Sequence, residues 1–195
     1  MDKYDSLTDC YCYPDSQVLK NKLNIKKLSE LEEAEREITA YTIKNVEFGF
    51  PPYNLEYMCH LHYQIFSELY EWAGKIRTID ISKGGTRFCT CSRIVAESSR
   101  LFALLQEDNW LRNLEKTTFC EKLAEHYIEF NMIHPFREGN GRVQRLLFEH
   151  ITLAAGYDLN WSDVSQDEWI KANLDGVRVN YKPMEKIFSR IVRAL

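Results

Sequence analysis

The chain has 195 residues, 45% of them hydrophobic, which fits one globular domain or one domain with an arm. Its formal net charge is −4 and its isoelectric point is about 5.8, so bulk charge gives no reason to bind nucleic acid or an anionic membrane. Any phosphate-binding site must therefore be local.

Cysteine usage bears on the compartment. The six cysteines include no Cys-x-x-Cys, and the two Cys-x-Cys pairs, at residues 10–12 and 89–91, fit neither common zinc-site spacing. The sequence carries no signal-peptide pattern and no apolar run long enough to span a membrane. We therefore predict reduced thiols, a cytoplasmic location and no membrane span. Delivery into a host cell by a route without a cleaved signal stays open.

The first predicted elements are an arm and a charged helix. Residues 13–15 (Tyr-Pro-Asp) are a turn signal, and residues 18–23 follow as a short helix or an extended arm. Ser29 and Glu32 have the spacing of a capping box, so we expect a helix to start there. Its apolar residues recur at the helical period, which predicts one buried stripe and one solvated face.

The second predicted helix starts after Asn54, a suitable cap, and its inward positions continue to Trp72, with Gly74 at its C-terminus. His60 and His62 lie on this helix, and helical residues two apart point to different faces. We therefore expect both histidines to serve packing or the surface rather than to bind a metal.

A change of pattern over residues 75–91 predicts a β-hairpin. Residues 76–81 and 88–91 read as two short strands, and Lys-Gly-Gly-Thr at residues 83–86 is a hairpin turn signal. Because a hairpin is marginally stable alone, we expect this one to work against another part of the fold.

Two further helices lead to the most unusual stretch of the chain. One begins at Ser92 and ends at residues 107–109, and a capping box at residues 118–121 starts the next, which runs to about Met132. Pro135 disfavours helical geometry for the residue before it. His134 should therefore sit at the helix end, where its side chain can face a cleft.

Residues 134–145 read His-Pro-Phe-Arg-Glu-Gly-Asn-Gly-Arg-Val-Gln-Arg. The Gly-Asn-Gly turn opens a helix, and the backbone N–H groups at such a turn, together with the helix dipole, make an anion site. Arg142 and Arg145 share a face in the first turn of that helix, where a cation is unfavourable unless an anion is bound. Phosphate fits this site because the guanidinium fork matches it.

Glu138 and His134 supply the chemistry beside this predicted phosphate site. A carboxylate repels a neighbouring phosphate unless a cation lies between them, and Mg²⁺ commonly takes one or two carboxylates plus phosphate oxygens. His134 then reads as a general base for a hydroxyl that attacks the phosphate. A helix-loop-helix corner with a surface histidine and solvated arginines is the alternative, and the combined spacing of these residues argues against it.

The C-terminal part predicts two more helices. Gly156 ends the helix that Arg142 opens, and residues 157–161 read as a short connection. A capping box at residues 165–168 starts a short helix. Pro183 suits the first turn of a last helix over residues 184–193.

The string at residues 134–145 resembles the core motif of the Fic family, HPFx(D/E)GNGRxxR, at every defined position. The resemblance implies a mainly α fold, a helical bundle around a central helix-loop-helix core with one β-hairpin flap. It also implies transfer of a nucleoside monophosphate, usually AMP from ATP, to a protein hydroxyl. The related kinase-like Doc branch has Ala-Asn-Lys-Arg at the turn where this chain has Gly-Asn-Gly-Arg, which favours AMP transfer.

Residue by residue, the resemblance implies a role for each position of the core motif. His134 is the base that deprotonates the target hydroxyl, Phe136 is a buried anchor of the loop, and Glu138 is the Mg²⁺ ligand. The residues implied to bind the ATP phosphates are Gly139, Asn140, Gly141, Arg142 and Arg145.

The hairpin extends the resemblance, since residues 79–84 and 87–89 match the Fic flap. That flap lies over the nucleotide and pairs with the target segment as an added strand, a known mode of peptide recognition. The implied docking positions are Ile79, Ile81 and Phe88. Lys83, Gly84 and Arg87 are implied to reach phosphate, and solvated turn residues are the alternative for Lys83 and Arg87.

The domain organisation follows from these matches. We predict an N-terminal arm at residues 1–28 that packs on the core, and a Fic domain at residues 29–195 with its flap at about 76–91. Residues 11–22 resemble the arm that precedes the core in toxin-type and secreted bacterial Fic proteins. An ordinary N-terminal packing segment is the alternative.

Many Fic proteins carry an inhibitory helix with the pattern (S/T)xxxE(G/N), whose glutamate pairs with the second arginine of the core, here Arg145. Three Ser/Thr-x-x-x-Glu matches occur, at Ser29, Ser67 and Thr117, and none is followed by Gly or Asn. The chain therefore resembles the toxin-type branch, which implies that a separate small antitoxin subunit holds it inactive.

We predict a bacterial, cytoplasmic protein adenylyltransferase that uses Mg²⁺ and ATP to modify a Ser, Thr or Tyr hydroxyl of another protein. By resemblance, the target is a DNA topoisomerase subunit, or a host GTPase if the protein is delivered into other cells, and direct nucleic-acid binding is not expected. Two alternatives stay open: transfer of phosphate, UMP or phosphocholine by the same site, and a non-catalytic interaction module.

Overall fold

Seven α-helices dominate the computed structural model, which describes residues 9–195. They are α1 (Leu28–Lys44), α2 (Leu55–Phe66), α3 (Ile94–Glu107), α4 (Lys116–Ile133), α5 (Asn140–Ala154), α6 (Gln166–Val177) and α7 (Lys182–Ile191). The prediction of a mainly α fold is confirmed. Among these residues, no helix is both long enough and apolar enough to cross a bilayer.

Helix α4 is the central element of the bundle. It packs against α3, α5, α6 and α7, and α2 packs against α5. Its predicted stripe, Phe119, Leu123, Tyr127 and Phe130, is buried, and further residues around the helix are buried too. A helix that is apolar on most sides belongs inside a bundle. The core motif, between the end of α4 and the start of α5, is therefore held by a buried helix of the bundle.

The predicted hairpin is present, but its paired strands are shorter than the sequence indicates. Strands β1 (Ser82–Lys83) and β2 (Thr86–Arg87) are antiparallel, with Ser82 opposite Arg87 and Lys83 opposite Thr86. The predicted strands at residues 76–81 and 88–91 are irregular chain, joined to each other by one hydrogen bond from Phe88 N to Ile81 O (3.3 Å), and other backbone groups of these segments bond elsewhere. Arg77 donates its backbone N–H to Pro135 O (2.9 Å) and Cys89 donates to Met132 O (2.9 Å). The flap is therefore fastened to the end of α4 and the loop after it as well as to itself.

Local capping residues predicted two helix starts correctly and two incorrectly. The Asn54 cap and the Ser165 cap are confirmed, since each side chain accepts the backbone N–H three residues on. The capping boxes at residues 29–32 and 118–121 are wrong, because α1 and α4 begin upstream, after Lys27 and Glu115, neither of which makes a side-chain cap. Helix α2 also ends earlier than predicted, at Phe66, before a series of turns.

The C-terminal end holds a second small sheet that the sequence did not predict. Strand β3 (Tyr157–Leu159) pairs antiparallel with β4 (Val192–Ala194), so residues 157–161 are more than a connection and α7 stops at Ile191. The two strands lie more than thirty residues apart in the chain and each has three residues. Neither is long enough to show an alternating pattern of its own.

The N-terminal segment packs on the bundle as extended chain and turns, not as a helix. Cys12 and Leu19 form an isolated antiparallel bridge, and Val18 and Leu19 are part of the hydrophobic core. Lys22 donates its backbone N–H to Leu69 O at 2.8 Å. The predicted division into an arm at 1–28 and a domain at 29–195 stays a prediction, and residues 1–8 lie outside the described part of the chain.

Candidate active site

His134 lies at the end of α4 in a left-handed backbone conformation, with φ 43° and ψ 65°. The residue is 92% buried and its ring stacks on Phe88 of the flap, with centroids 3.7 Å apart. Its Nδ1 is in hydrogen-bond contact with the Asn131 carbonyl oxygen. The helix end and the flap thus fix the position and the plane of the imidazole.

The contact with Asn131 also determines the tautomer of His134. A carbonyl oxygen only accepts hydrogen bonds, so Nδ1 must carry the proton. The lone pair of the neutral ring is then on Nε2. This is the arrangement in which a histidine can take a proton at Nε2, as a general base does.

Asn140 and Phe136 close the loop between the two helices. The Asn140 side chain accepts from Phe136 N (2.9 Å) and donates to Phe136 O (2.8 Å), so it holds both backbone groups of that residue. Phe136 is fully buried and stacks on the ring of His62, with centroids 4.0 Å apart. Asn140 therefore shapes the turn with its side chain, and any part it plays with an anion belongs to its backbone.

His62 of α2 contacts the loop between α4 and α5. Its Nδ1 accepts the Gly74 backbone N–H at 2.8 Å, so its Nε2 carries the proton and donates to the Glu138 carbonyl at 3.1 Å. Burial lowers the pKa of His62 to about 3, which keeps the ring neutral. The expectation that His62 serves packing is confirmed, and the contact with Glu138 is a function that spacing alone did not indicate.

Gly139 and Gly141, both predicted to bind phosphate, differ in their surroundings. Gly139 is the N-cap of α5 with φ 79°, and a Cβ there would lie 2.2 Å from the Phe66 ring. Gly141 lies in the first turn of α5, and no atom is within 4 Å of its would-be Cβ. The first N–H groups of a helix have no partner within it, so the α5 N-terminus, which follows His134 in the same loop, carries the positive end of the helix dipole.

Glu138 and Arg142 are joined by a third residue, Glu35 of α1. The Arg142 Nη2 lies 2.6 Å from Glu35 Oε1 and 3.3 Å from Glu138 Oε1, and its Nη1 donates to Thr39 Oγ1 at 3.1 Å. Glu35 is 98% buried and also accepts a hydrogen bond from the Tyr70 hydroxyl. The carboxylate of Glu35 therefore fixes the direction of the Arg142 guanidinium.

Sequence reasoning missed Glu35. The residue lies more than a hundred positions from Arg142, on a helix whose charged face reads as solvated surface. One signal was available in retrospect: Glu35 and Thr39 are four apart and so share a helix face. Nothing in the sequence indicates, however, that α5 lies against that face.

Replacing Glu35 with alanine should lower the free energy of unfolding by about 2 kcal/mol. The substitution leaves the buried Tyr70 hydroxyl without its acceptor and removes one carboxylate from Arg142. Urea denaturation at neutral pH measures the change. Glu37→Ala is the matched control on the exposed side of α1 and should stay within about 0.5 kcal/mol of wild type. Equal stability of the two variants would contradict the role given to Glu35.

The remaining candidate residues divide between the site and its rim. Arg145 is exposed, and Arg142 is turned toward α1 with only about a quarter of its side chain exposed.

In the flap, Ile81 and Phe88 are buried and Ile79 is half-buried. Lys83, Gly84 and Arg87 lie at the exposed hairpin tip, where Arg87 Nη2 is 3.4 Å from Asp80 Oδ2. Among the candidate flap residues, Phe88 contacts the core motif through its stack on His134.

A metal ion held by protein groups alone is not supported within residues 9–195, because they form no cluster of three or more His, Cys, Asp or Glu side chains. Glu138 is a single buried carboxylate beside a helix N-terminus. That donor set fits Mg²⁺ that arrives with a nucleotide, since the ion keeps waters and phosphate oxygens and needs one or two carboxylates.

Comparison with known sequences decides the family. The model of the Fic/DOC family matches residues 52–152, slightly more than half of the chain. A protein of Escherichia coli K12 with the name probable protein adenylyltransferase Fic is 37% identical over 191 residues, 98% of this chain and 96% of that protein. The chain belongs to the Fic/DOC family.

Solved Fic structures agree with the fold. BepC of Bartonella tribocorum with bound AMPPNP matches 95% of this chain and 97% of its own, with 27% identity and a TM-score of 0.88. The Fic domain of a Bartonella quintana effector with bound ADP matches 94% of both chains, with 29% identity and a TM-score of 0.89. The bundle described above is therefore a Fic fold, with α4, the loop and α5 as its core.

Proposed function

We propose that this Fic protein is an adenylyltransferase that transfers AMP from Mg·ATP to a Ser, Thr or Tyr hydroxyl of another protein. One observation carries the proposal: His134, whose Nδ1 is held by the Asn131 carbonyl so that Nε2 is the basic nitrogen, ends α4 in the same short loop that opens the N-terminus of α5 at Asn140. The Escherichia coli relative bears the name of a protein adenylyltransferase, and the BepC structure holds an ATP analogue.

The proposed step is one proton transfer and one displacement. The target hydroxyl gives its proton to Nε2 of His134, and its oxygen attacks the α-phosphorus of ATP. The bond from that phosphorus to the oxygen that bridges to the β-phosphorus breaks, and pyrophosphate leaves. Stacking on Phe88 and the contact with Asn131 keep the imidazole oriented during this step.

The phosphates are assigned to the start of α5. The backbone N–H groups of Asn140 and Gly141 and the guanidinium groups of Arg142 and Arg145 stabilise the negative charge there, and Gly139, whose N–H is donated to Glu138 Oε1, shapes the turn. The Glu35 carboxylate keeps Arg142 aimed while phosphate binds. Lys83, Gly84 and Arg87 at the hairpin tip add to phosphate binding when the flap covers the nucleotide.

Glu138 is the proposed Mg²⁺ ligand. The ion would neutralise charge on the phosphates and so help pyrophosphate to leave. Glu138 is prepared for this task by the residues around it: His62 holds its carbonyl, and its Oε1 accepts the Gly139 N–H at 2.9 Å. Arg142 contacts both Glu138 and Glu35 in this structure, so it would keep Glu35 as a partner if Glu138 held the ion.

The target protein is proposed to dock on the flap. In the flap, Ile79 is half-buried and Ile81 and Phe88 are buried, and we propose that an extended peptide adds to the segment at residues 79–81. The candidates remain a DNA topoisomerase subunit in the bacterial cytoplasm or a host GTPase after delivery. An inhibitory antitoxin helix is compatible with the exposed position of Arg145, which leaves that guanidinium accessible to a partner's glutamate.

Labelled ATP tests the proposed reaction. Purified protein is incubated with Mg²⁺ and a bacterial lysate, in parallel with ATP labelled on the α- or the γ-phosphate. We expect protein-bound label only from the α-position, and none when EDTA removes the metal. Label from the γ-position alone would make the protein a kinase. Absence of both labels, with ATP binding retained in calorimetry, would support the non-catalytic alternative.

A further inference from the structure

Arg77, near the start of the flap, is more buried than an arginine usually is. Its side chain has no exposed surface, and Asp80 Oδ1 is 3.9 Å from Nη1. Arginine is rarely buried to this extent, because removing its charge from water is costly unless the guanidinium is well hydrogen-bonded. The hydrogen bonds of this side chain therefore show which parts of the fold the buried guanidinium joins.

Four backbone carbonyl oxygens accept hydrogen bonds from the Arg77 guanidinium. Two belong to the end of α4: Nε donates to His134 O at 2.8 Å and Nη2 to Ile133 O at 3.3 Å. The other two belong to the two sides of the flap: Nη1 donates to Ile79 O at 2.6 Å and Nη2 to Cys89 O. A single planar group thus joins both sides of the flap to the residue predicted to be the catalytic base.

The α4 end needs this support. The last carbonyls of a helix have no partner within it, and they carry the negative end of the helix dipole, so a cation placed there is favourable. His134 also adopts a left-handed conformation, which costs a residue with a side chain about 1–2 kcal/mol. The hydrogen bond from Arg77 Nε to His134 O helps to hold the backbone in that conformation.

We propose, on the basis of the proposed function, that Arg77 is a positioning residue that couples the flap to His134. It sets the distance and angle between the docked target hydroxyl and Nε2 of His134 without touching the phosphate-binding turn. Lysine cannot replace it, because one ammonium group lacks the planar fork that reaches four carbonyl oxygens at once. Misplacement of a reacting group by about 1 Å can cost about 10²-fold in rate.

The test compares Arg77→Lys with Arg100→Lys, a matched change at an exposed arginine of α3 whose side chain pairs with Glu97. We expect Arg77→Lys to lower kcat for AMP transfer by about 10- to 100-fold and to raise KM for the target. The Kd for ATP from calorimetry should stay within about twofold of wild type. Arg100→Lys should match wild type throughout. An Arg77→Lys enzyme with unchanged kcat and KM for the target would overturn the proposal, and so would one that loses ATP affinity in parallel with kcat.

Two further measurements keep the inference testable. Hydrogen exchange of the amides at residues 88–89 should be at least about tenfold faster in Arg77→Lys, while amides of α5 keep their protection. This readout needs no activity, so a failed AMP transfer assay in wild type would refute the proposed function and leave the coupling to be judged separately. If Arg77→Lys does not fold, Phe88→Leu replaces it, because it loosens the flap from the His134 ring and keeps the buried charge. Phe88→Leu with wild-type kcat would then contradict the coupling.

Discussion

Replacing His134 with alanine is expected to lower the rate of AMP transfer by about 10²–10⁴-fold, the contribution of a positioned general base. Nε2 is the only basic nitrogen that the ring offers, because Nδ1 is committed to the Asn131 carbonyl. Calorimetry should give an ATP affinity close to that of wild type, since the phosphate-binding turn is built by Asn140 and Phe136. Initial rates with α-labelled ATP and a fixed amount of target measure the loss.

Two control variants make the His134 result specific. His60→Ala removes an exposed histidine of α2 and should leave the rate unchanged. His134→Asn removes the basic nitrogen and retains a residue that tolerates the left-handed conformation. It should be as inactive as His134→Ala and at least as stable. Substantial activity in His134→Asn would place the base elsewhere.

Replacing Gly139 with alanine is expected to destabilise the protein by about 3 kcal/mol or more. The added Cβ would lie 2.2 Å from the Phe66 ring, which cannot easily move because it is fully buried and stacked on His62. The backbone φ of 79° is also unfavourable for any residue with a side chain. Overpacking typically costs about 1–3 kcal/mol and the left-handed conformation about 1–2. Urea denaturation followed by circular dichroism measures the sum.

Gly141→Ala is the matched control, two residues along the same turn. Its Cβ meets no atom within 4 Å and its backbone is helical, so we expect stability within about 1 kcal/mol of wild type, or slightly higher. Comparing the two variants separates the two glycines of the Gly-Asn-Gly motif. Packing and backbone conformation require glycine at position 139, and neither requires it at position 141. Equal destabilisation of the two variants would contradict this distinction.

The sequence predicted those parts of the fold whose cause is local. The apolar period of α4 and α5, the break that Pro135 imposes and the Gly-Asn-Gly turn placed His134 at a helix end, as found. The flap turn at residues 83–86 followed from turn chemistry alone. The extent of the flap strands did not follow, since their hydrogen bonds go to Arg77 and to the end of α4. The β3–β4 pairing was missed because its stability comes from partners distant in sequence.

The site was predictable to a similar extent. Residues 134–145 form one motif, so their proximity is guaranteed by chain connectivity. The groups that hold the motif in shape, namely Glu35, His62 and Arg77, come from three other segments. Each looks ordinary in the sequence, as a charged helix residue, a core histidine or a strand arginine. Only the packing of α1, α2 and the flap around the α4–α5 corner gives them their roles.

The contact between Asp9 and Arg137 bears on the order in which the protein is made and folded. The Arg137 side chain inside the core motif is 94% buried, with its Nη2 2.6 Å from Asp9 Oδ2 in the N-terminal segment. The two residues are 128 positions apart, and a buried guanidinium without its carboxylate is costly. During synthesis the segment that carries Asp9 leaves the ribosome 128 residues before Arg137 does. The corner that carries His134 and the segment that carries Asp9 should therefore reach their final places together, after Arg137 has been made.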